Sequence, residues 1–290
     1  MIVQLILGAL MIGSVYGVVG IGYGLIYKAS GLMSLAQGDM LMLGAFLGLT
    51  FYKVLRIPFA IALFLTMGVM FLLGFLIERL LVTKLLKKGA QVVYIILCTI
   101  AISMLMQNGA MLTWGSYVLQ FPPIFGVKSI KFGSISLVPE SLMALGVAAI
   151  AMILLQIFMT KSKFGTSMRA AAQDEIAAGA LGINVPLTKG VAWGLSAMLA
   201  GAVGVVVGPI FGVYTTMGAM IGQKAFAGAV IGGYGNMYGA IVGGLTVGFL
   251  ETFVSAYISS AYKDVIVFAV LILAMVFMPR GIFNEEVIES

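Results

Sequence analysis

KFGTSMRAAAQDEIAAGALGIN, residues 163–184, is polar, Ala-rich and helix-friendly. The chain around it is 62% hydrophobic and 9% charged, with a mean hydropathy of +1.16. Soluble domains carry roughly 25% charged residues, so this composition excludes a water-soluble fold. Apolar runs of about 20 residues, each long enough to cross a bilayer as a helix, recur on both sides of the insertion. They are continuous and rich in Leu, Ile, Met and Ala, not alternating as barrel strands would be. The expected fold is therefore all-α: one polytopic transmembrane helical bundle over residues 1–290, with a water-exposed loop at 160–187.

Eight membrane segments are predicted, at 2–27, 38–54, 57–78, 91–112, 138–159, 188–213, 236–258 and 262–279, with a further short apolar piece at 218–234. No basic residue follows Met1 before Lys28, so the first run reads as a retained span and not a signal peptide. Arg79, Lys84, Lys87 and Lys88 form one basic cluster, and Lys161, Lys163 and Arg169 form a second. Two spans separate them, so both can face the same side, which the positive-inside bias makes cytoplasmic. The loop 113–137, with Pro122 and Pro123, then lies outside, and Arg280 places the C-terminus inside. Lys53, Arg56, Lys128 and Lys131 run against the bias. The side of the N-terminus stays open.

The formal net charge of +6 follows from this loop topology and does not call for nucleic acid. The chain has no histidine and ten acidic residues, which removes the commonest general base and metal ligand. Membrane-embedded catalysis, a catalytic site and a metal site are not expected. The single cysteine, Cys98, lies in an apolar run and reads as a small core residue.

Two segments are unusual. SGLMSLAQGDMLMLGAFLG (30–48) and MGAMIGQKAFAGAVIGGYG (217–235) each follow a Gly-rich span. Each places a Gln beside a charge, Gln37 near Asp39 and Gln223 beside Lys224, and each continues with spaced glycines. This weak internal repeat suggests discontinuous or re-entrant segments, a pointer to a transporter's substrate path. Pairs such as Gly20–Gly24, Gly44–Gly48, Gly228–Gly232 and Gly239–Gly243 allow close helix packing, and generic packing also accounts for any one of them.

Within the polar insertion, two short helices are expected. The first covers about 167–173. Asp174 suits an N-cap, its carboxylate accepting backbone N–H bonds, and Glu175 complements the dipole of a second helix over 175–181. Gly182 is a good stop. Helices this short are marginal alone in water, so they need a surface to lie on. Ile176, Ala180 and Ile183 line one side, with Ala177 and Leu181 beside them. That suits insertion into another protein's groove, although a loop resting on the membrane has a similar composition.

GTSMRAAAQDEIAAGALGIN resembles the cytoplasmic EAA-type loop of ABC importer permeases. It is closest to the form G–x3–RA–x3–D–x2–AA–x3–GIN of the branched-chain amino acid (Liv-type) permease family, matched here by Gly165, Arg169, Ala170, Asp174, Ala177, Ala178, Gly182, Ile183 and Asn184. YGLIYKASGLMSLAQGDMLMLGAF (23–46), GQKAFAGAVIGGYGNMYGAIVGGLTVGFLE (222–251) and MPRGIFN (278–284) are similar to three further segments of that family, in order. There are departures. The family's NFAHGE is SLAQGD here, with Gln37 for His and Asp39 for Glu, and Glu175 stands where Pro is frequent.

The resemblance implies a permease subunit that performs no covalent chemistry. ATP and Mg would be held by two partner ATPase subunits that grip Gly165, Arg169, Asp174, Glu175, Ala177, Ala178, Gly182 and Ile183. It implies a second permease subunit, identical or different, an extracytoplasmic substrate-binding protein, and a multi-pass location in a bacterial or archaeal cytoplasmic membrane. No phosphate-binding GxxxxGK[ST] loop exists in the chain.

The candidate substrate path takes in Gln37, Gly38, Asp39, Gln223, Lys224, Phe226 and Glu251. Charges at membrane depth are costly, so they face the bundle interior and are paired or hydrated. The repeat suggests that Asp39 and Lys224 approach each other; the plainer reading is that each caps or snorkels. Glu251 reads as a hydrogen-bonding group between helices, and Glu78 with Arg79 as a span end at the cytoplasmic surface. The alternative to an importer subunit is a self-contained secondary transporter or channel, with Asp39, Lys224 and Glu251 as coupling charges.

Overall fold

Hydrocarbon offers no partner for backbone N–H and C=O groups, so an apolar run crosses a bilayer only when its hydrogen bonds close internally. In a computed structural model of the chain, which describes residues 2–125, 130–132 and 135–283, nearly every such run is helical. Lys128 and Asn284 lie outside the described residues.

In chain order the helices are α1 (Ile2–Ser30), α2 (Gln37–Leu49), α3 (Phe59–Ile77), α4 (Thr83–Lys87), α5 (Val92–Trp114), α6 (Pro139–Lys161), α7 (Lys163–Gln173), α8 (Glu175–Ala180), α9 (Val185–Phe211), α10 (Met217–Gly232), α11 (Met237–Tyr257) and α12 (Lys263–Phe277). A π-helical turn, Thr50–Val54, extends α2, and another, Glu78–Val82, joins α3 to α4. A small antiparallel hairpin, β1 (Ile130–Phe132) with β2 (Ile135–Leu137), pairs Lys131 with Ser136.

Among the described residues, six stretches are long and apolar enough to cross a membrane: Ile2–Ser30, Phe59–Lys87, Val92–Trp114, Pro139–Lys161, Val185–Phe211 and Met237–Tyr257. The other expected segments fold as the shorter helices α2, α10 and α12, of 13, 16 and 15 residues. The chain is thus a multi-pass membrane protein of the all-α class, with one small hairpin outside the helices. Its large apolar side chains point outward as well as inward: Phe64, Leu105, Leu112 and Phe277 are exposed. This is the pattern of a surface bathed in lipid.

Lipid provides no hydrophobic drive for helices to associate, so close contact through small residues holds them together. α9 is central, with Trp193, Ala197, Ala200 and Val205 fully buried. It runs against α3, where Gly74 abuts Trp193 and Ala197 and Gly194 abuts Phe71. α1 runs antiparallel to α11, with Gly13 against Leu245 and Gly17 against Ile241 and Gly244.

α2 begins inside the protein. After α1 ends at Ser30, residues 31–36 return without regular structure, and Ala36, Gln37 and Asp39 are buried. Irregular backbone at membrane depth is tolerated only where protein encloses it. The N-termini of α2 and α10 meet there. A Cβ on Gly38 would strike the Gly218 carbonyl, and a Cβ on Gly218 would strike that of Gly38. The two segments with the weak repeat pattern therefore touch at their first turns.

One expectation is corrected. Glu78 is not at a surface span end: it is fully buried, because the helix continues through the π-turn to Lys87. Thr83 donates a 2.5 Å hydrogen bond to its Oε1, and Gly190 of α9 packs beside its Oε2.

Candidate functional site

Two places gather the residues singled out by the sequence: the exposed α7–α8 pair and a set of polar groups between helices.

α7 starts four residues earlier than expected, because Ser162 caps it by accepting from Gly165 N at 2.9 Å. The pair is fastened to the bundle at several points. Gly165 packs on the carbonyls of Phe158 and Met159 with no space for a Cβ, and Arg169 donates to the Met159 carbonyl. Met168, Ala171 and Ala178 face inward and are buried. Asp174 ends α7 and caps α8, its Oδ1 accepting from Ile176 N at 2.8 Å and Ala177 N at 2.9 Å. Gly182 has φ +83°, a left-handed conformation that costs other L-residues roughly 1–2 kcal/mol. Asn184 then caps α9 by accepting from Leu187 N at 3.1 Å. Glu175 lies 2.5 Å from Lys189 in the first turns of α9.

So anchored, α8 turns its apolar groups outward. Ile176 is 87% exposed and Leu181 82%, with Ala177 and Ala180 exposed beside them and Ile183 half-buried. The expected face exists, and it is a rigid apolar knob.

Inside the bundle, Gln37 donates from Nε2 to the Ser196 carbonyl at 3.0 Å. Asp39 accepts from Ser103, and from Gln107 Nε2 at 2.9 Å. It does not meet Lys224. Lys224 Nζ lies 2.6 Å from Glu251 Oε1 and 2.7 Å from Asp264 Oδ1. Lys263 Nζ also reaches Glu251 Oε1, at 3.1 Å, and Tyr16 donates to Glu251 Oε2 at 2.5 Å. The side chains of Lys224 and Glu251 are only 6% and 7% exposed.

The expected Asp39–Lys224 pair is thus replaced by two separate clusters. α2 and α10 touch through their first turns, Gly38 against Gly218 and Gly222. Asp39 turns to α5, and Lys224, further along α10, turns to α11 and α12. Gln223 is exposed and joins neither. Phe226 packs edge-on against Tyr23 and Tyr234, with ring centroids 5.6 Å away in both cases.

Sequence reasoning missed Ser103 and Gln107, although Thr99, Ser103 and Gln107 recur every four residues in an otherwise apolar run. That spacing is a polar stripe on one helix face. It also missed Tyr16, Lys263 and Asp264. Nothing near them in sequence signals that they meet Glu251 and Lys224.

The family model described as "Branched-chain amino acid transport system / permease component" matches residues 5–275. The chain belongs to this permease family. It is 31% identical to the high-affinity branched-chain amino acid transport system permease protein LivH of Salmonella typhimurium, over 99% of this chain and 97% of the relative. It is 30% identical to the corresponding permease protein BraD of Pseudomonas aeruginosa, with the same shares covered. A probable branched-chain amino acid transport permease protein LivH of Methanocaldococcus jannaschii is 28% identical, over 96% of this chain and 91% of the relative. No solved structure matches the chain. As a member of this family the chain is a transport-system permease component and not an enzyme.

Proposed function

We propose that this chain is the membrane-spanning subunit of an ABC importer, forming the path for branched-chain or related amino acids. The observation that carries the reading is the α7–α8 pair, an apolar knob held rigid by caps and anchored to α6 and α9. A knob of this kind suits a groove on an ATPase subunit. Two such subunits bind ATP and Mg; this chain holds no cofactor and has no phosphate-binding loop of its own. Their closure moves the knob, and Gly165, Arg169 and the Glu175–Lys189 contact pass the movement to α6 and α9.

The unit is one transmembrane permease domain over residues 1–290, with the coupling loop at 160–187 on the cytoplasmic side. α2, α10 and α12 join the six long helices within the membrane. It works beside a second permease subunit, the same chain or another, in the cytoplasmic membrane of a bacterium or archaeon, and takes substrate from an external binding protein. The substrate path runs by the first turns of α2 and α10, past Gln37, Gly38 and Asp39, and by Lys224, Phe226 and Glu251.

Reconstitution in vesicles with the ATPase and binding-protein partners tests this. Leucine uptake is expected to require ATP inside the chain's cytoplasmic face and to persist when ion gradients are collapsed. Uptake driven by an ion gradient without ATP would instead make the chain a self-contained carrier.

A further inference from the structure

α3 and α5 both pack on α2, and a groove of about 740 Å³ lies between them. Leu43 of α2 lines it, with Leu73 and Ile77 of α3, Leu81 of the following π-turn, and α5 from Ala101 to Trp114. That part of α5 is about 20 Å long at 1.5 Å per residue, more than one leaflet's share of a hydrocarbon core about 30 Å thick. Asn108 and Thr113 in the lining donate to carbonyls of their own helix, those of Met104 and Gly109, at 2.7 and 2.9 Å. Polar groups satisfied in this way need nothing from an occupant, so hydrocarbon can fill the groove. A second groove, of about 440 Å³, shares the ridge Leu73–Ile77–Leu81 and extends over Leu72, Leu76 and Leu80.

The end of the ridge is strongly basic. Lys84 follows Leu81 by one helical turn, and α4 passes into α5 through residues 88–91. Lys87 and Lys88 therefore stand where the two walls of the groove are joined. Lys84, Lys87 and Lys88 are exposed, and no carboxylate pairs with them among the described residues. The acid in this run, Glu78, is fully buried beside Gly190 of α9, away from the lysines' surface. Tyr94 in the first turn of α5 is exposed, as aromatic residues at headgroup level are.

The positive-inside bias accounts for basic loops in general, but not for one placed at the end of an apolar groove. Basic clusters beside membrane helices on the cytoplasmic side attract anionic headgroups. Two apolar grooves on one ridge, with one cationic end, match a molecule with two chains and one negative head. A second copy meeting this face about an axis normal to the membrane would set the two lysine groups at the same level, where they repel. We propose that the α3–α5 groove and its basic end bind one anionic diacyl phospholipid of the cytoplasmic leaflet, its chains along the Leu73–Ile77–Leu81 ridge and its phosphate on Lys84, Lys87 and Lys88. The site is separate from the substrate path and from the α8 knob, and it does not depend on what the chain transports.

Native mass spectrometry of the full chain in detergent, titrated with phosphatidylglycerol or phosphatidylcholine of the same acyl chains, tests this. One phosphatidylglycerol is expected to bind at least tenfold more tightly than phosphatidylcholine. The triple variant Lys84→Gln, Lys87→Gln, Lys88→Gln is expected to bind the two lipids equally. Gly109→Trp fills the groove and leaves the lysines in place, because Gly109 lines it with nothing within 4 Å of an added Cβ. It is expected to weaken phosphatidylglycerol binding at least tenfold. Gly146→Trp on α6, equally unobstructed and outside both grooves, is expected to bind as the wild type does. If the triple variant does not accumulate, Gly109→Trp decides. Equal affinity of the wild type for the two lipids, a preference kept by the triple variant, or Gly109→Trp binding as tightly as Gly146→Trp would overturn the proposal. In the last case, loss of a second permease subunit from Gly109→Trp would make the groove a protein interface instead.

Discussion

Glu175, the first residue of α8, lies 2.5 Å from Lys189 in the first turns of α9. One end of the contact is half-exposed and the other nearly buried. It joins the anchored surface knob to the most central helix through an ionic contact. Exposed ion pairs contribute about 1 kcal/mol or less, so the link is weak as a stabiliser and is better suited to passing on position. Glu175→Gln is expected to leave the thermal midpoint of the purified protein nearly unchanged and to lower ATP-driven uptake severalfold. The exchange Glu175→Lys with Lys189→Glu should recover part of the uptake. A double variant no better than the singles would show that the contact transmits nothing.

Asp174 caps a helix of six residues, too short to persist alone in water. Asp174→Ala removes the acceptor for two backbone N–H groups, at a cost of about 1 kcal/mol. Amide hydrogen exchange over 175–181 should accelerate about fivefold or more, while the rates in α9 stay as they were. Asp174→Asn, which keeps the acceptor, should exchange close to the wild-type rate. Equal protection in the Ala and wild-type proteins would mean that neighbouring contacts hold α8 without its cap.

Gly38 and Gly218 leave each other no room for a Cβ, and interiors this close do not yield without backbone shifts. Gly38→Ala is expected to lower the thermal midpoint in detergent by several degrees and to reduce accumulation in the membrane. Gly68→Ala in α3, where nothing lies within 4 Å of the added carbon, is the control. It should be neutral or slightly stabilising, because Ala is the better helix former. The reverse order of the two variants would contradict the meeting of the α2 and α10 first turns.

Lys224 and Glu251 form a buried pair, and removing one partner of such a pair costs roughly 3–5 kcal/mol. Lys224→Glu should therefore be poorly stable, and adding Glu251→Lys should recover much of the loss. Adding Asp39→Lys should recover none, since Asp39 is held by Ser103 and Gln107. Thermal unfolding of the three proteins separates these outcomes.

Much of this architecture is legible locally. The apolar runs became helices with ends displaced by a few residues, and Asp174 and Gly182 mark their turns because capping and positive φ depend on near neighbours only. The partners of the buried charges are a different matter. The similar Gln-and-charge patterns at 37–39 and 223–224 suggested a pair, and the α2 and α10 first turns do touch. Which way each side chain turns is set by α5, α11 and α12, which are distant in sequence. Glu78 was misplaced for a related reason: the π-turn carries its helix on to Lys87 and rolls the carboxylate inward toward α9. The stripe of Thr99, Ser103 and Gln107 was readable, and its spacing points to a polar face meeting another polar group.

The central claim is that the outward face of α8 is where ATP-driven force enters the bundle. It is tested most directly by ATP-driven leucine uptake in vesicles carrying the complex with Ile176→Asp and Leu181→Asp. These side chains are 87% and 82% exposed, so the permease itself should fold and insert as before. The account predicts uptake at background level, with the ATPase subunits no longer retained on the purified permease. Uptake at the wild-type rate would contradict it.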